Sequence, residues 1–182
     1  SYKIYQKAAQ TPRQKGMGTT LSLLINLRGR GFIGHVGDSR LYLRRQQKIH
    51  QLTEDHSLVN ELLKFGKIKR VEELDPRFKN AVTRAVGVSD SVQVDTLDFD
   101  ILPGDRFLLC SDGLHGYLDD EKVLQELSPR DIEQIAADLV EYANEEGGKD
   151  NITHIVIDAL EDGQTDYSDV KLKFHTLKRL AI

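Results

Sequence analysis

Four aspartates stand where the pattern of the chain places strand ends: Asp38, Asp55, Asp112 and Asp150. Asp112 comes just after the apolar run 106–111, and Asp150 precedes the run 151–160. If those runs are antiparallel neighbours, both carboxylates stand at one edge of a sheet. Asp38 and Asp55 close strands of an earlier meander and are expected to share an edge in the same way. Carboxylates gathered this way repel one another unless a cation lies between them. No Cys or His stands at ligand spacing beside them, so the suitable ions are hard ones, Mg²⁺ or Mn²⁺. One ion or two would lower the pKa of a bound water and neutralise phosphate charge. The plainer reading of any aspartate in a turn is a turn residue or a cap, and for Asp38 that reading leads. Asp112 and Asp150 are distinguished by their next neighbours in the chain, Gly113 and Asn151, set directly against apolar strands.

The elements that must position these residues are legible from periodicity. Ile4 and Ala8, with Tyr5 and Ala9 alongside, fall at helical spacing, and Thr11-Pro12 stops that helix. Leu21, Leu23, Ile25 and Leu27 alternate along a strand with one strongly apolar face. Turns at 28–31, 37–39 and 46–48 separate strands at 32–36, 41–43 and 49–53, an antiparallel meander. A helix is expected over 57–65, a charged surface excursion over 66–84, and a long strand from Val92 to Ile101. Leu102-Pro103-Gly104-Asp105 is a turn before a strand, 106–111, apolar enough to be buried on both faces. Helices are expected at 120–127 and 130–145, the second ended by Gly147-Gly148, and a last strand runs from Asn151 to Leu160. Strands come first and helices later, which indicates an α+β fold with antiparallel sheet.

The chain of 182 residues suits one domain with a short appendage. With 39% hydrophobic and 30% charged residues it can pack a core and is not a disordered chain. A balance of 25 basic against 29 acidic residues lacks the basic footprint of a nucleic-acid binder and suits an anionic membrane surface poorly. The single cysteine, Cys110, rules out an intrachain disulfide and fits a reducing, cytoplasmic setting. No apolar stretch approaches the roughly 18 residues of a membrane span. The N-terminus has neither an apolar signal core nor an initiator Met, so the expectation is a chain cut from something longer.

Six blocks, in order, carry a family resemblance. They are Gly16-Met17-Gly18-Thr19-Thr20, Gly37-Asp38-Ser39-Arg40, Thr53-Glu54-Asp55-His56-Ser57, Leu102-Pro103-Gly104-Asp105, Cys110-Ser111-Asp112-Gly113-Leu114 and Gly148-Lys149-Asp150-Asn151-Ile152-Thr153. Together they resemble the signature of the metal-dependent, type 2C protein serine/threonine phosphatases in their bacterial form, across about residues 1–160. The resemblance implies a sandwich of two antiparallel sheets flanked by helices, with a metal centre at one end. It implies that Asp112 and Asp150 bind one of two core ions, Mn²⁺ or Mg²⁺, and that Asp55 with Asp112 holds a third, weaker one. Asp38, Arg40, Gly113, Asn151 and His56 would be structural or would support the ligands. Residues 58–84 would be the flap beside the active site, and residues 161–182 a linker and exit segment leading to another module. The implied chemistry is attack by metal-activated water on phosphoserine or phosphothreonine in proteins, opposite a cognate Ser/Thr kinase. The family's bridging Asp, a nearby His and its phosphate-binding Arg belong to an N-terminal portion that precedes the first residue here. No catalytic side chain beyond the metal ligands is therefore expected in this chain. Two readings are open, a catalytic phosphatase domain and a non-catalytic phosphatase-like module that binds or regulates a partner.

Other signals carry less. Gly29-Arg30-Gly31-Phe32-Ile33-Gly34 matches a dinucleotide fingerprint letter for letter, but a strand rather than a helix comes next, so the glycines serve a hairpin. No Arg stands in the loop just after Cys110, which speaks against a cysteine phosphatase; Cys110 reads as core. There is no G-x-S-x-G elbow for a serine hydrolase. Lys64, Lys67, Lys69 and Arg70 form a basic run, most simply a solvated face, and on a flap they could meet acidic or phosphorylated substrates.

Overall fold

A computed structural model describes residues 1–160. The linker and exit segment expected over 161–182 lie outside the described residues. The described chain holds seven strands, β1 (Leu21–Leu27), β2 (Arg30–Val36), β3 (Arg40–Arg45), β4 (Lys48–Gln51), β5 (Asp95–Asp100), β6 (Arg106–Cys110) and β7 (His154–Asp158). Its five α-helices are α1 (Tyr2–Gln10), α2 (Leu58–Lys64), α3 (Asp112–His115), α4 (Asp120–Glu126) and α5 (Ile132–Glu145). The strands form two antiparallel sheets, ordered β1-β2-β5 and β4-β3-β6-β7, as the α+β expectation requires. By contacts the chain divides into two compact units. Of the described residues, one comprises Ser1–Leu27, Gly31–Ser39 and Glu54–Asp98; the other comprises Arg28–Arg30, Arg40–Thr53 and Phe99–Leu160.

Strands β1 and β2 are joined at Arg28 and Gly29, with φ of 52° and 81°. Two positive φ values in succession make a two-residue turn of the I′ type, whose twist suits a hairpin. That is the structural use of the apparent dinucleotide fingerprint. The apolar face of β1 behaves differently from a core strand. Leu21, Leu23, Ile25 and Leu27 are between 45% and 60% exposed, and β1 is an edge of its sheet. The first unit is closed around Ala8, Ile33 and Val36. Residues 66–84 hold only two short 3₁₀ turns, Val71–Glu73 and Pro76–Phe78.

The expected meander of four strands is two strands of one sheet followed by two strands of another. The change of sheet falls at Gly37-Asp38-Ser39. Gly37 has φ +112°, and a Cβ there would lie 2.4 Å from Thr20 Cγ2. Only glycine lets the backbone turn that closely over β1. The expected long strand over 92–101 is shorter, Asp95–Asp100.

The second unit is built on β6, which pairs with β3 on one side and β7 on the other. A strand covered on both edges and apolar along its length is the buried centre of its sheet. Leu108, Cys110 and Tyr42 pack against Leu114, Leu118, Val123, Leu127, Ile135, Leu139 and Ala143 from α3, α4, α5 and the segments beside them. Ile135, Leu139 and Ala143 recur at four-residue spacing and are fully buried, the inward stripe of α5. Asp131 starts that helix by accepting hydrogen bonds from the Glu133 and Gln134 amides, both at 2.9 Å.

Candidate metal centre

The antiparallel pairing of β6 with β7 places Cys110 opposite His154. Beyond that last pair the chains stay joined. The Ser111 amide donates to Thr153 O at 2.9 Å, and the Thr153 amide donates to Ser111 Oγ at 3.1 Å. The Ser111 hydroxyl donates to Asn151 O at 3.2 Å. Ser111 thus zips the exit of β6 to the approach of β7, and Asp112 and Asp150 come to one edge as their positions predict.

Gly113 sets how closely they come. A Cβ on it would lie 2.3 Å from Asn151 O and 2.9 Å from Asn151 C, so the two segments meet backbone to backbone. Each aspartate anchors itself on the next amide in the chain. Asp112 Oδ1 accepts from Gly113 N–H at 3.0 Å, and Asp150 Oδ1 accepts from Asn151 N–H at 2.7 Å. Both residues are exposed, so each carboxylate keeps an oxygen turned to solvent. An oxygen-only donor pair of this kind fits a hard divalent cation that keeps several of its waters. Among the described residues no group of three or more His, Cys, Asp or Glu side chains is assembled to hold an ion.

Asp55 belongs to the first unit, in the loop between β4 and α2. Ser57 caps α2 by accepting from the Asn60 amide, and Asn60 Nδ2 donates to Asp55 O at 2.9 Å. The neighbouring His56 is the stronger anchor. Its amide donates to Gly37 O at 2.8 Å, and the Gly37 amide donates back to His56 Nδ1 at 3.0 Å. With Nδ1 accepting, the proton of the neutral ring sits on Nε2, which donates to Asp95 Oδ2 at 3.0 Å. Arg84 Nη1 donates to Asp95 Oδ1 at 2.6 Å. These hydrogen bonds, from His56 first and Arg84 next, hold the Asp95 carboxyl below the usual carboxylate range. His56 is thus buried beside Asp55, and its hydrogen bonds with Gly37 tie that loop to the Gly37-Asp38-Ser39 crossover. Arg40, on β3, donates through Nη1 to the buried Tyr42 hydroxyl at 2.9 Å.

Sequence reasoning missed His35. It is buried in the first unit, its ring 4.9 Å from that of His56. Its Nε2 donates to Glu54 O at 3.1 Å, and Ser22 Oγ lies 2.9 Å from its Nδ1. Its alternation with Ile33 on the inner face of β2 was the available signal, masked by the polarity of histidine. Burial, and then the neighbouring His56, hold the His35 imidazole below the usual histidine range. Linkage gives the sign. Below about pH 6.5 the unfolded chain binds a proton that the folded ring resists, so stability is present above that pH and is lost as pH falls. Thermal melts are expected to shift downward from pH 7 to pH 5, with at most about 1.4 kcal/mol per pH unit from this one ring. His35→Gln should flatten that part of the profile; an unchanged slope would rule His35 out as its source.

The model of one family, "Protein phosphatase 2C", matches residues 1–152. The chain belongs to the protein phosphatase 2C family. It is 41% identical over 144 residues to the serine/threonine phosphatase stp of Listeria monocytogenes, covering 79% of this chain and 57% of that protein. It is 41% identical over 154 residues to protein phosphatase PhpP of Streptococcus pneumoniae, covering 83% and 61%. Among solved structures, the Mycobacterium tuberculosis serine/threonine phosphatase PstP/Ppp superposes with a TM-score of 0.80 at 33% identity, covering 87% of this chain and 67% of that one. A PstP catalytic domain in complex with two manganese ions gives a TM-score of 0.77 at 33% identity, covering 88% and 66%. The chain thus spans about three-fifths of the length of these two curated relatives. No helix among the described residues is long and apolar enough to cross a membrane.

Proposed function

We propose that this chain carries part of a metal-dependent protein phosphatase that hydrolyses phosphoserine and phosphothreonine in proteins. The observation that carries the reading is the convergence of Asp112 and Asp150 at one sheet edge, enforced by the Gly113–Asn151 approach, in a chain of the protein phosphatase 2C family. Asp112 and Asp150 would hold a core Mn²⁺ or Mg²⁺, and Asp55, from its own anchored loop, would serve a third ion. Bound there, such an ion lowers the pKa of a coordinated water and neutralises phosphate charge. The chain's own residues do the positioning. Ser111 and Gly113 join the two segments that bear Asp112 and Asp150, while His56 and Asn60 hold the loop that bears Asp55. The phosphoprotein substrates would be products of a Ser/Thr kinase, in the cytoplasm, and residues 58–84 would form the flap they pass.

The second reading is a phosphatase-like binding or regulatory module. The experiment that separates the readings is Mn²⁺-dependent hydrolysis of a phosphothreonine peptide, with and without EDTA. Turnover abolished by the chelator supports the enzyme; silence with Mn²⁺ present, both in this chain and in a longer one that includes the residues preceding Ser1, supports the module. In an active preparation Asp55→Asn should lower turnover by roughly ten- to a hundredfold, the range seen when a supporting metal contact is lost. An unchanged Mn²⁺ activation curve would remove Asp55 from the ion's surroundings.

A further inference from the structure

At the end of the second sheet opposite the aspartate pair, three charged residues stand in a row across three strands. Arg44 on β3 is opposite Arg106 on β6, and Arg106 is opposite Asp158 on β7. Like charges directly opposite on adjacent strands repel. Both arginines are buried, Arg44 to 6% exposure. Arg106 is satisfied: its Nε and Nη2 bond to the Asp158 carboxylate, its Nη1 donates to Ser128 O at 2.6 Å, and its Nη2 donates to Arg130 O at 3.2 Å.

The other nearby carboxylate is also taken. Asp105 is buried, and Arg45 grips it with Nε at 2.8 Å and Nη2 at 2.7 Å, while the Leu102 amide donates to it at 2.8 Å. Arg44 is left over. Among the described residues its buried Nε has no hydrogen-bond partner. Arg44, Arg106, Asp105 and Asp158 line one cleft of about 300 Å³, whose lining also includes the exposed Leu160. Asp105 and Asp158 are each held by another arginine, so among the described residues Arg44 lines the cleft without an ion-pair partner. A buried charge is stable only when paired and hydrogen-bonded. A guanidinium has a planar fork that suits a phosphate or carboxylate oxygen pair.

The geometry points to an oxyanion-binding site at this cleft, in which Arg44 binds a small phosphate or carboxylate ligand. It lies on the order of 20 Å from the Asp112 edge, six strand residues away along β6. It stands independently of the phosphatase reading, because none of its residues belongs to the metal centre.

The test uses the 182-residue chain with EDTA, so that no divalent ion competes for the anion. Melting temperature is followed against sodium phosphate and, separately, sodium acetate, each matched by sodium chloride at equal ionic strength. A saturable rise is expected in one of the two oxyanions, roughly 5–10 °C at a hundredfold excess over its dissociation constant, with none in chloride. The larger response identifies the ligand as phosphate-like or carboxylate-like. Arg44→Met should abolish the rise while melting no lower than the parent in chloride, since it removes an unpaired buried charge. Arg44→Lys keeps the charge but not the fork and should retain a weaker rise, which carries the test if the methionine variant does not fold. No rise beyond chloride in the parent chain, or an equal rise in Arg44→Met, would overturn the site. Glu161 and Asp162 come directly after Leu160 in sequence. A rise that emerges only in the Glu161→Gln, Asp162→Asn chain would also overturn it, by making the chain's own carboxylate the partner of Arg44.

Discussion

Asp112→Asn is expected to lower Mn²⁺-dependent phosphopeptide hydrolysis by a factor on the order of 10³, with the fold unchanged. Asparagine keeps the size of the side chain and the oxygen that accepts from the Gly113 amide, so α3 still starts where it does. The substitution removes the negative charge. A neutral amide oxygen is a weaker ligand for a hard divalent ion, and the charge stabilisation such an ion supplies is worth several kcal/mol, each 1.36 kcal/mol being a tenfold rate effect. The measurement is paired: Mn²⁺ affinity from titration, and turnover at saturating Mn²⁺. Weakened binding with a matching loss of turnover assigns Asp112 to the ion. Full activity in the variant would remove Asp112 from the metal site whatever the family implies.

Gly113→Ala is expected to destabilise the protein by about 2 kcal/mol or more and to weaken Mn²⁺ binding with it. Two effects of opposite sign compete. Alanine is favoured over glycine inside a helix by roughly 0.5–1 kcal/mol, and Gly113 lies within α3. Against that, the new Cβ would meet Asn151 O at 2.3 Å and Asn151 C at 2.9 Å, atoms of backbone that no rotamer change can move. Relieving such overpacking by backbone shift costs about 1–3 kcal/mol or more, so the clash wins. The shift must part the 111–113 segment from the 150–152 segment, which carries Asp112 away from Asp150. A fall in melting temperature of roughly 4–8 °C, with a right-shifted Mn²⁺ titration, is the expected result. A variant that melts higher than the parent would mean that the two segments are not in contact.

The parts of the fold that could be read in advance are those where one residue pattern answers to one physical demand. The stripe Ile135, Leu139, Ala143 at helical spacing could only be a buried helix face, and α5 is that. The apolar run Phe107-Leu108-Leu109-Cys110 was too uniformly apolar for a half-solvated strand, and β6 is the doubly covered centre of its sheet. Its pairing with β7, which starts at His154 and not at Asn151 as expected, puts Asp112 and Asp150 at one edge because Ser111 bonds onward to Thr153 and Asn151 beyond the last strand pair. Asp38 and Asp55 are different. The chain changes sheets between Val36 and Arg40, and a crossover of three residues looks in sequence like one more hairpin turn. The exposure of Leu21, Leu23, Ile25 and Leu27 was equally invisible, since alternation states that a strand has two faces and says nothing of the cover on either.

The sequence alone determined the α+β class, the order of the elements and the identity of the aspartates beside strand ends, because those depend on periodicity and turn chemistry within about ten residues of each other. It also led to the expectation of a hard ion, since the family blocks place aspartates rather than thiolates at the strand ends. Only the tertiary structure decided which contacts hold those acids in place. That Gly113 must be glycine depends on Asn151, thirty-eight positions away, passing within a bond length or two of its missing Cβ. That the His35 imidazole is held below the usual histidine range depends on its burial and then on the neighbouring His56. That Arg44 has no carboxylate partner among the described residues depends on Asp105 and Asp158 being held by Arg45 and Arg106. Each is a matter of which long-range partner arrives first at a shared group, and local patterning carries no record of distance through space.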